Sequence, residues 1–321
     1  MQKNDLPSLC NLESRHCQWR KNICVQSSSK VTPNTGPMPP QTKVQPRTNL
    51  SRSISLLQSQ HFWWFVGQCS IVVCTSIHTV VSIFSSSQTF YDICLFSVLI
   101  TYAIVIGQVH FKGKRISQIL AIFKARNSRI EFFKDDNVHY FLLATVFYFT
   151  RSVIGPISGG LYPYAVYGIF HAIGYFQNEL LPLMSMSFDR KQQIDATLTQ
   201  AGALYNDRAM LVACTSELRL LVLELISLPF SVLYIFGNPM YRATKVFVSF
   251  AIILFLVMRY NSSKHMKMTI ESTDTTILQY LRHPMVPPVV LRVYEYGFKH
   301  MVKQFAKIVS SPLTNTKAKV N

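Results

Sequence analysis

Seven ionisable side chains lie inside otherwise apolar stretches: His78, Asp92, His139, Arg151, His171, Glu179 and Glu224. A charge is costly in hydrocarbon, so each is a candidate for chemistry by default. The sharpest reading pairs His139 with His171, in consecutive apolar arms either side of a Gly-Pro break, as a metal or proton-relay site. Two imidazoles without a third ligand, or an acid at metal spacing, make a poor metal centre. Interhelical hydrogen bonding, with Tyr140 and Tyr175 nearby, is the simpler account. Glu224 sits mid-arm and calls for a Tyr or Ser on a neighbouring helix, because Arg219 is off its helical face. In the N-terminal tail Cys10, Cys17 and Cys24 recur at a regular spacing, with His16 beside Cys17. Zinc ligands usually come in pairs about two to four residues apart, so these read as free thiols. There is no GxSxG elbow, P-loop, HExxH or Rossmann glycine pattern. The reading is of a non-enzymatic chain with no metal and no cofactor.

The elements that would position these groups are membrane helices. Phe62 to Phe84 holds 23 residues without Asp, Glu, Lys or Arg. An α-helix of roughly 20 apolar residues crosses a ~30 Å hydrocarbon core. Trp63 and Trp64 open the run, where amphipathic rings favour the interface. A short uncharged link, 85–89, leads to a second span over about 90–109. A second hairpin follows, Val138 to Ile154 and Leu161 to Leu181, broken at Gly155-Pro156 and Gly159-Gly160. The third runs Arg219 to Phe236 and Lys245 to Met258 around Gly237-Asn238-Pro239. Pro229 interrupts its first arm, and its second, with only about 14 residues, is short for a crossing. The fold class expected is all-α: a polytopic membrane protein of about three helical hairpins plus cytosolic amphipathic helices.

Charge sets the sidedness. The 321-residue chain carries 32 Lys and Arg against 15 acids, net +17, yet only 15% of its residues are charged. Soluble domains carry about a quarter. With several apolar spans present, the basic excess points to the anionic cytosolic leaflet as partner and not to nucleic acid. The tail 1–60 has 8 basic residues against 2 acids, and 110–137 has 7 against 3. From Arg259 to the end there are 10 against 3. By the positive-inside rule these parts face the cytosol. The domains are then a basic cytosolic tail over 1–60, too polar to fold, a membrane domain over 61–260, a cytosolic region over 261–310, and a disordered end over 311–321. Two cytosolic stretches are amphipathic, one with Ile116, Ile119, Leu120 and Phe123, the other with Ile194, Leu198, Ala201 and Tyr205.

Residues 289–309 form a further amphipathic helix. At 100° per residue, Leu291, Tyr294, Phe298, Met301, Val302, Phe305, Ile308 and Val309 share an arc of roughly 120°. Arg292, Lys299, Lys303 and Lys307 cluster on another. A basic face beside a wide aromatic-aliphatic one suits a membrane surface. Docking onto the protein's own cytosolic helices would require the same stripe.

Certain motifs carry a resemblance. Asp136 to Tyr140 reads DNVHY and opens one arm, and His171 to Tyr175 reads HAIGY. Ala213-Cys214 and Glu217 precede a long apolar run that exits as MRYNSSKH, and Pro284 and Pro287 precede the last amphipathic helix. The pattern, over roughly 55–310, resembles the transmembrane protein 33 family, with its Krüppel homologue 2 and fungal nuclear pore-membrane members. The resemblance implies a multi-pass protein of the endoplasmic reticulum and nuclear envelope. It further implies a role in organising tubules or nuclear pores, with reticulon-type proteins or nucleoporins as partners. The alternative is a small polytopic transporter or channel, which requires His139, His171 and Glu224 to line one polar path.

Overall fold

The computed structural model describes residues 57–85, 88–157, 159–233, 238–300 and Gln304. They are helical, with no strand among them. The readings of Cys10, Cys17 and Cys24 fall outside the described residues, as do those of Met301, Val302, Lys303, Phe305, Lys307 and Ile308.

Helix α1 spans Gln60–Phe84, its first turn capped by the Ser59 hydroxyl, which accepts from the Phe62 amide. Helix α2 spans Thr89–Ile106 and continues as a π-helical turn over Gly107–Phe111. The pair closes along small residues. Gly67, Ser70 and Thr75 on α1 meet Thr101, Ser97 and Cys94 on α2. The Ser70 and Ser97 hydroxyls are 2.9 Å apart, and the Thr75 hydroxyl is 3.3 Å from the Cys94 sulfur. In lipid, helices associate through such close approach and interhelical hydrogen bonds, because the solvent is as apolar as the side chains. A Cβ on Gly67 would run into Thr101 Cγ2, so any larger residue forces the pair to shift. The two tryptophans part company: Trp63 points outward, 59% exposed, and Trp64 is buried.

Helices α3 (Ile116–Lys124) and α4 (Arg126–Phe132) occupy the basic loop, where the amphipathic pattern called for a helix. Phe123 and Phe132 pack edge to face, 5.4 Å apart. Asp135 then caps α5 (Asp136–Ile154), accepting from the Asn137 amide at 2.9 Å. The same side chain holds His110 Nε2 at 2.8 Å, joining the end of α2 to the start of α5.

The second hairpin differs from a simple up-and-down pair. Helix α5 ends at Gly155, whose φ of 75° lies in the left-handed region that glycine tolerates. The chain then folds back between the helices. The Ile157 amide donates to the Tyr91 hydroxyl at 3.3 Å, and Gly160 lies against Phe147, midway along α5. Helix α6 (Tyr162–Tyr175) therefore starts well inside the bundle and ends in a π turn, Phe176–Leu180. Close packing pairs α5 with α2 and α8, and α6 with α1 and α7.

Helix α7 runs unbroken over Phe188–Leu233, 46 residues. This corrects the division at Arg219 into a cytosolic helix and a membrane arm. At 1.5 Å per residue its length is about 70 Å, twice the hydrocarbon thickness, so one rod serves both environments. Polarity changes along it while helicity does not, and Pro229 is accommodated inside it. Helix α8 spans Pro239–Ser262, 24 residues, which corrects the short last arm. Asn238 caps it and Pro239 starts it, so the helix takes in polar flanks that a count of apolar residues leaves out. Helices α1, α8 and α2 with its π turn are each long and apolar enough to cross a membrane.

Helix α9 spans Lys264–Leu281 behind the cap Ser263. Helix α10 covers only Pro288–Arg292 before a π turn, Val293–Phe298. The 100° spacing expected from residue 289 onward is therefore interrupted at Val293.

The helix ends sort into two groups. Gln60 meets Gln108 at 3.5 Å, His110 meets Asp135, and Asp136 meets Arg259. This is the basic end, from which the loop 110–137 and the chain after Arg259 emerge. At the opposite end Arg151 pairs with Asp92 at 2.8 Å.

Replacing Gly67 with Ala should cost on the order of 1–3 kcal/mol through overpacking. Thermal unfolding in detergent reads this as a lowered midpoint, and Thr101→Ser, which removes the offending methyl, should restore most of the loss.

Candidate functional site

Arg259 occupies the last turn of α8 and is 2% exposed. A cation there complements the helix dipole, but its desolvation must be offset by anions and acceptors. Four partners converge on it. Nη1 is 2.8 Å from Asp136 Oδ2, and Nε is 3.5 Å from Glu217 Oε2. Nη2 donates to the Tyr167 hydroxyl at 3.1 Å, and the guanidinium carbon stands 5.1 Å from the centre of the Tyr140 ring. The Tyr140 hydroxyl donates to Glu217 Oε1 and lies 3.1 Å from that of Tyr167. The Tyr164 hydroxyl donates to the Tyr140 carbonyl at 3.0 Å. One guanidinium thus ties α5, α6 and α7 to α8. Asp136 comes from the first turn of α5, where the dipole favours an anion.

A second ion pair joins α7 to α8 deeper in the bundle. Lys245 Nζ is 2.8 Å from Glu224 Oε2, and the Ser249 hydroxyl donates to Oε1 at 3.3 Å. The serine partner matches the reading of Glu224. The lysine went unrecognised because it stood at the supposed edge of the last arm.

The two histidines have separate partners. His139 Nε2 is 2.6 Å from the Phe133 carbonyl, at the start of α5. His171 meets the Trp64 ring edge-on, with centroids 5.2 Å apart. Tyr140 enters the arginine cluster, and Tyr175 stacks on Phe65 at 4.6 Å. His139, His171 and Glu224 therefore belong to three different contacts. Among the described residues no group of three or more His, Cys, Asp or Glu could hold a metal. A cavity of about 270 Å³ toward the opposite end, between α1 and the folded-back loop, is lined by Thr75, His78, Thr79, Ser82 and Tyr162 among others.

Two of the residues placed on the terminal amphipathic helix meet α9 instead of open surface. The Tyr294 hydroxyl donates to Asp274 Oδ1 at 2.8 Å, and Lys299 Nζ lies 2.7 Å from Oδ2. Partial burial and the neighbouring carboxylate push the Tyr294 phenol up to about 12, so it remains a donor at neutral pH. Leu291 is partly covered and Arg292 exposed, and Val289, Val293 and Tyr296 are more than 60% exposed.

Sequence reasoning missed the Glu217–Arg259 pair. Its signal was present, since both residues stand in the quoted motifs and Arg259 closes an apolar run. Only packing showed that they face each other. Arg259→Met should destabilise the protein by about 3–5 kcal/mol by stranding two carboxylates. Glu217→Gln in that background should recover part of the loss, which a double-mutant cycle of unfolding midpoints measures.

The profile described as transmembrane protein 33/nucleoporin POM33 matches residues 43–307. The chain is 28% identical over 272 residues to the pore membrane protein of 33 kDa of Saccharomyces cerevisiae, covering 83% of this chain and 90% of that protein. It is 25% identical over 262 residues to tetra-spanning protein 1 of Schizosaccharomyces pombe, covering 79% and 87%. It is 24% identical over 255 residues to the pore and endoplasmic reticulum protein of 33 kDa of Saccharomyces cerevisiae, covering 77% and 90%. No solved structure matches. Asp136, Tyr140, Glu217 and Arg259, all within motifs that carry the resemblance, meet in one cluster, and the chain belongs to the transmembrane protein 33/nucleoporin POM33 family.

Proposed function

We propose that this chain is a non-enzymatic organiser of endoplasmic reticulum and nuclear-envelope membrane. It is a multi-pass protein of those membranes, in keeping with its relatives. The proposed work is shaping or stabilising tubules and pore membrane, in association with reticulon-type proteins or nucleoporins. The observation that carries the reading is the unequal furnishing of the two ends of the bundle. The basic end bears α3, α4, α9 and α10, with exposed apolar groups such as Leu120, Val289 and Val293 among lysines and arginines. At the opposite end only a few residues of sequence separate α1 from α2 and α7 from α8, and the loop after Gly155 folds inward. Material added to one leaflet expands it relative to the other, and amphipathic segments beside anionic lipid supply that asymmetry. Positive charge assigns the furnished end to the cytosol.

In this account the C-terminal segment is the membrane-surface element, with Leu291, Phe298 and Phe305 toward lipid and Arg292, Lys303 and Lys307 toward headgroups. Tyr294 and Lys299 hold its start against α9, which sets where the segment leaves the bundle.

Expressed as the full chain in cells, Phe298→Asp with Phe305→Asp should leave the protein in the endoplasmic reticulum and reduce its effect on tubule abundance at least twofold. Imaging at matched expression reads this. Unchanged tubule morphology would remove the terminal helix from the mechanism. Glycosylation of Asn49 or Asn261 in the same cells would reverse the sidedness.

A further inference from the structure

A groove of about 290 Å³ lies between α6 and α7. It is lined by Val166, Ile169 and Phe170 on α6, and by Tyr205, Arg208, Ala209 and Val212 on α7. Ile169 is 43% exposed and Val212 56%, so the groove is open along its side. Its depth follows from neighbours. Tyr167, on the preceding turn of α6, reaches Arg259 in the last turn of α8. Glu217, little more than a turn beyond Val212, reaches the same arginine. The groove therefore sits level with the end of a membrane span, where hydrocarbon gives way to headgroups. Arg208 is exposed and makes no ion pair among the described residues. Its neighbour Asp207 faces α9, 3.8 Å from His265 Nε2, so the local acid is turned elsewhere.

We propose that this groove holds one acyl chain of an anionic phospholipid of the adjacent leaflet, with the lipid phosphate and headgroup on Arg208. The apolar walls suit a chain, which the surrounding bilayer supplies at that depth. A lone guanidinium at the mouth suits a phosphate and an added negative charge, binding both through fixed donors. A soluble ligand would have to enter from the side occupied by lipid. The site is independent of the terminal helix and of any effect on membrane shape. Only the naming of its leaflet as cytosolic rests on the sidedness proposed above.

The full chain, purified in mild detergent and stripped of lipid, is titrated with dioleoylphosphatidylserine or dioleoylphosphatidylcholine and followed by native mass spectrometry. Phosphatidylserine adducts should exceed phosphatidylcholine adducts about fivefold, the ratio expected from one cation near an anionic headgroup. Arg208→Gln should bring that ratio to about one while phosphatidylcholine binding persists. Ala209→Trp, which fills the groove, should remove most adducts of both lipids. Arg208 is exposed and Ala209 borders the open groove, so the unfolding midpoint should stay within a degree or two of the parent. Phe298→Asp with Phe305→Asp should bind as the parent does, which separates this site from the terminal helix. A preference that survives Arg208→Gln, adducts that survive Ala209→Trp, or a parent that retains no lipid would each overturn the proposal. So would loss of the preference in the terminal-helix variant.

Discussion

Arg259 closes an apolar span, and a guanidinium in that position cannot be left without anions and acceptors around it. Satisfying it dictates much of the architecture. Asp136 must start α5 beside the end of α8, Glu217 must face inward from the middle of α7, and Tyr140 and Tyr167 must bring their hydroxyls to the same point. Buried ion pairs contribute little net stability compared with an apolar core, but breaking one is expensive. The cluster therefore acts chiefly as a specification of register: slide α7 along α8 by one turn and Glu217 no longer reaches Arg259. The Glu224–Lys245 pair repeats the same demand two turns deeper, on the same two helices.

Elsewhere the bundle closes by a different device. Helices α1 and α2 approach through Gly67, Ser70 and Thr75, small enough for hydroxyls to bond across the interface. Aromatic rings fill the joint between α5, α6 and α2, where Tyr164 meets Tyr102 and Tyr140 edge to face and Tyr102 lies tilted against Tyr140. The Tyr140 and Tyr164 hydroxyls also need acceptors, and Glu217 and the Tyr140 carbonyl provide them. The polar network and the tyrosine joint share Tyr140, which touches Tyr102 and Tyr164 with its ring and Glu217 with its hydroxyl.

That construction leaves the two ends of the bundle unlike each other. At one end a rigid ionic joint anchors helices that continue outward: α7 extends well beyond the bilayer thickness, and α9 follows α8 across a single residue, Ser263. At the other, Gly155 turns the chain back toward the interior. A multi-pass membrane protein built this way carries its projecting helices on the side where the ionic joint lies.

Hydrophobic length and charge placement alone determined the helical membrane class, the positions of α1 and α2, the helix in the basic loop and the shared end from which the loop 110–137 and the chain after Arg259 emerge. These are properties that each stretch carries locally, since a run long enough to span lipid is legible without its neighbours. The motif residues Asp136, Tyr140, Glu217 and Arg259 were visible as letters but not as partners, because their convergence joins positions up to 123 apart in the chain. Packing alone decided that α7 runs on past Arg219, that α8 absorbs its polar flanks, and that α6 begins inside the bundle. It also separated His139 from His171 and gave Glu224 its lysine. A helix continues wherever its backbone bonds are satisfied, whatever the polarity of its surface, and an ionisable side chain takes whichever partner the neighbouring helix brings. Neither outcome is written in the spacing of residues along one strand of sequence.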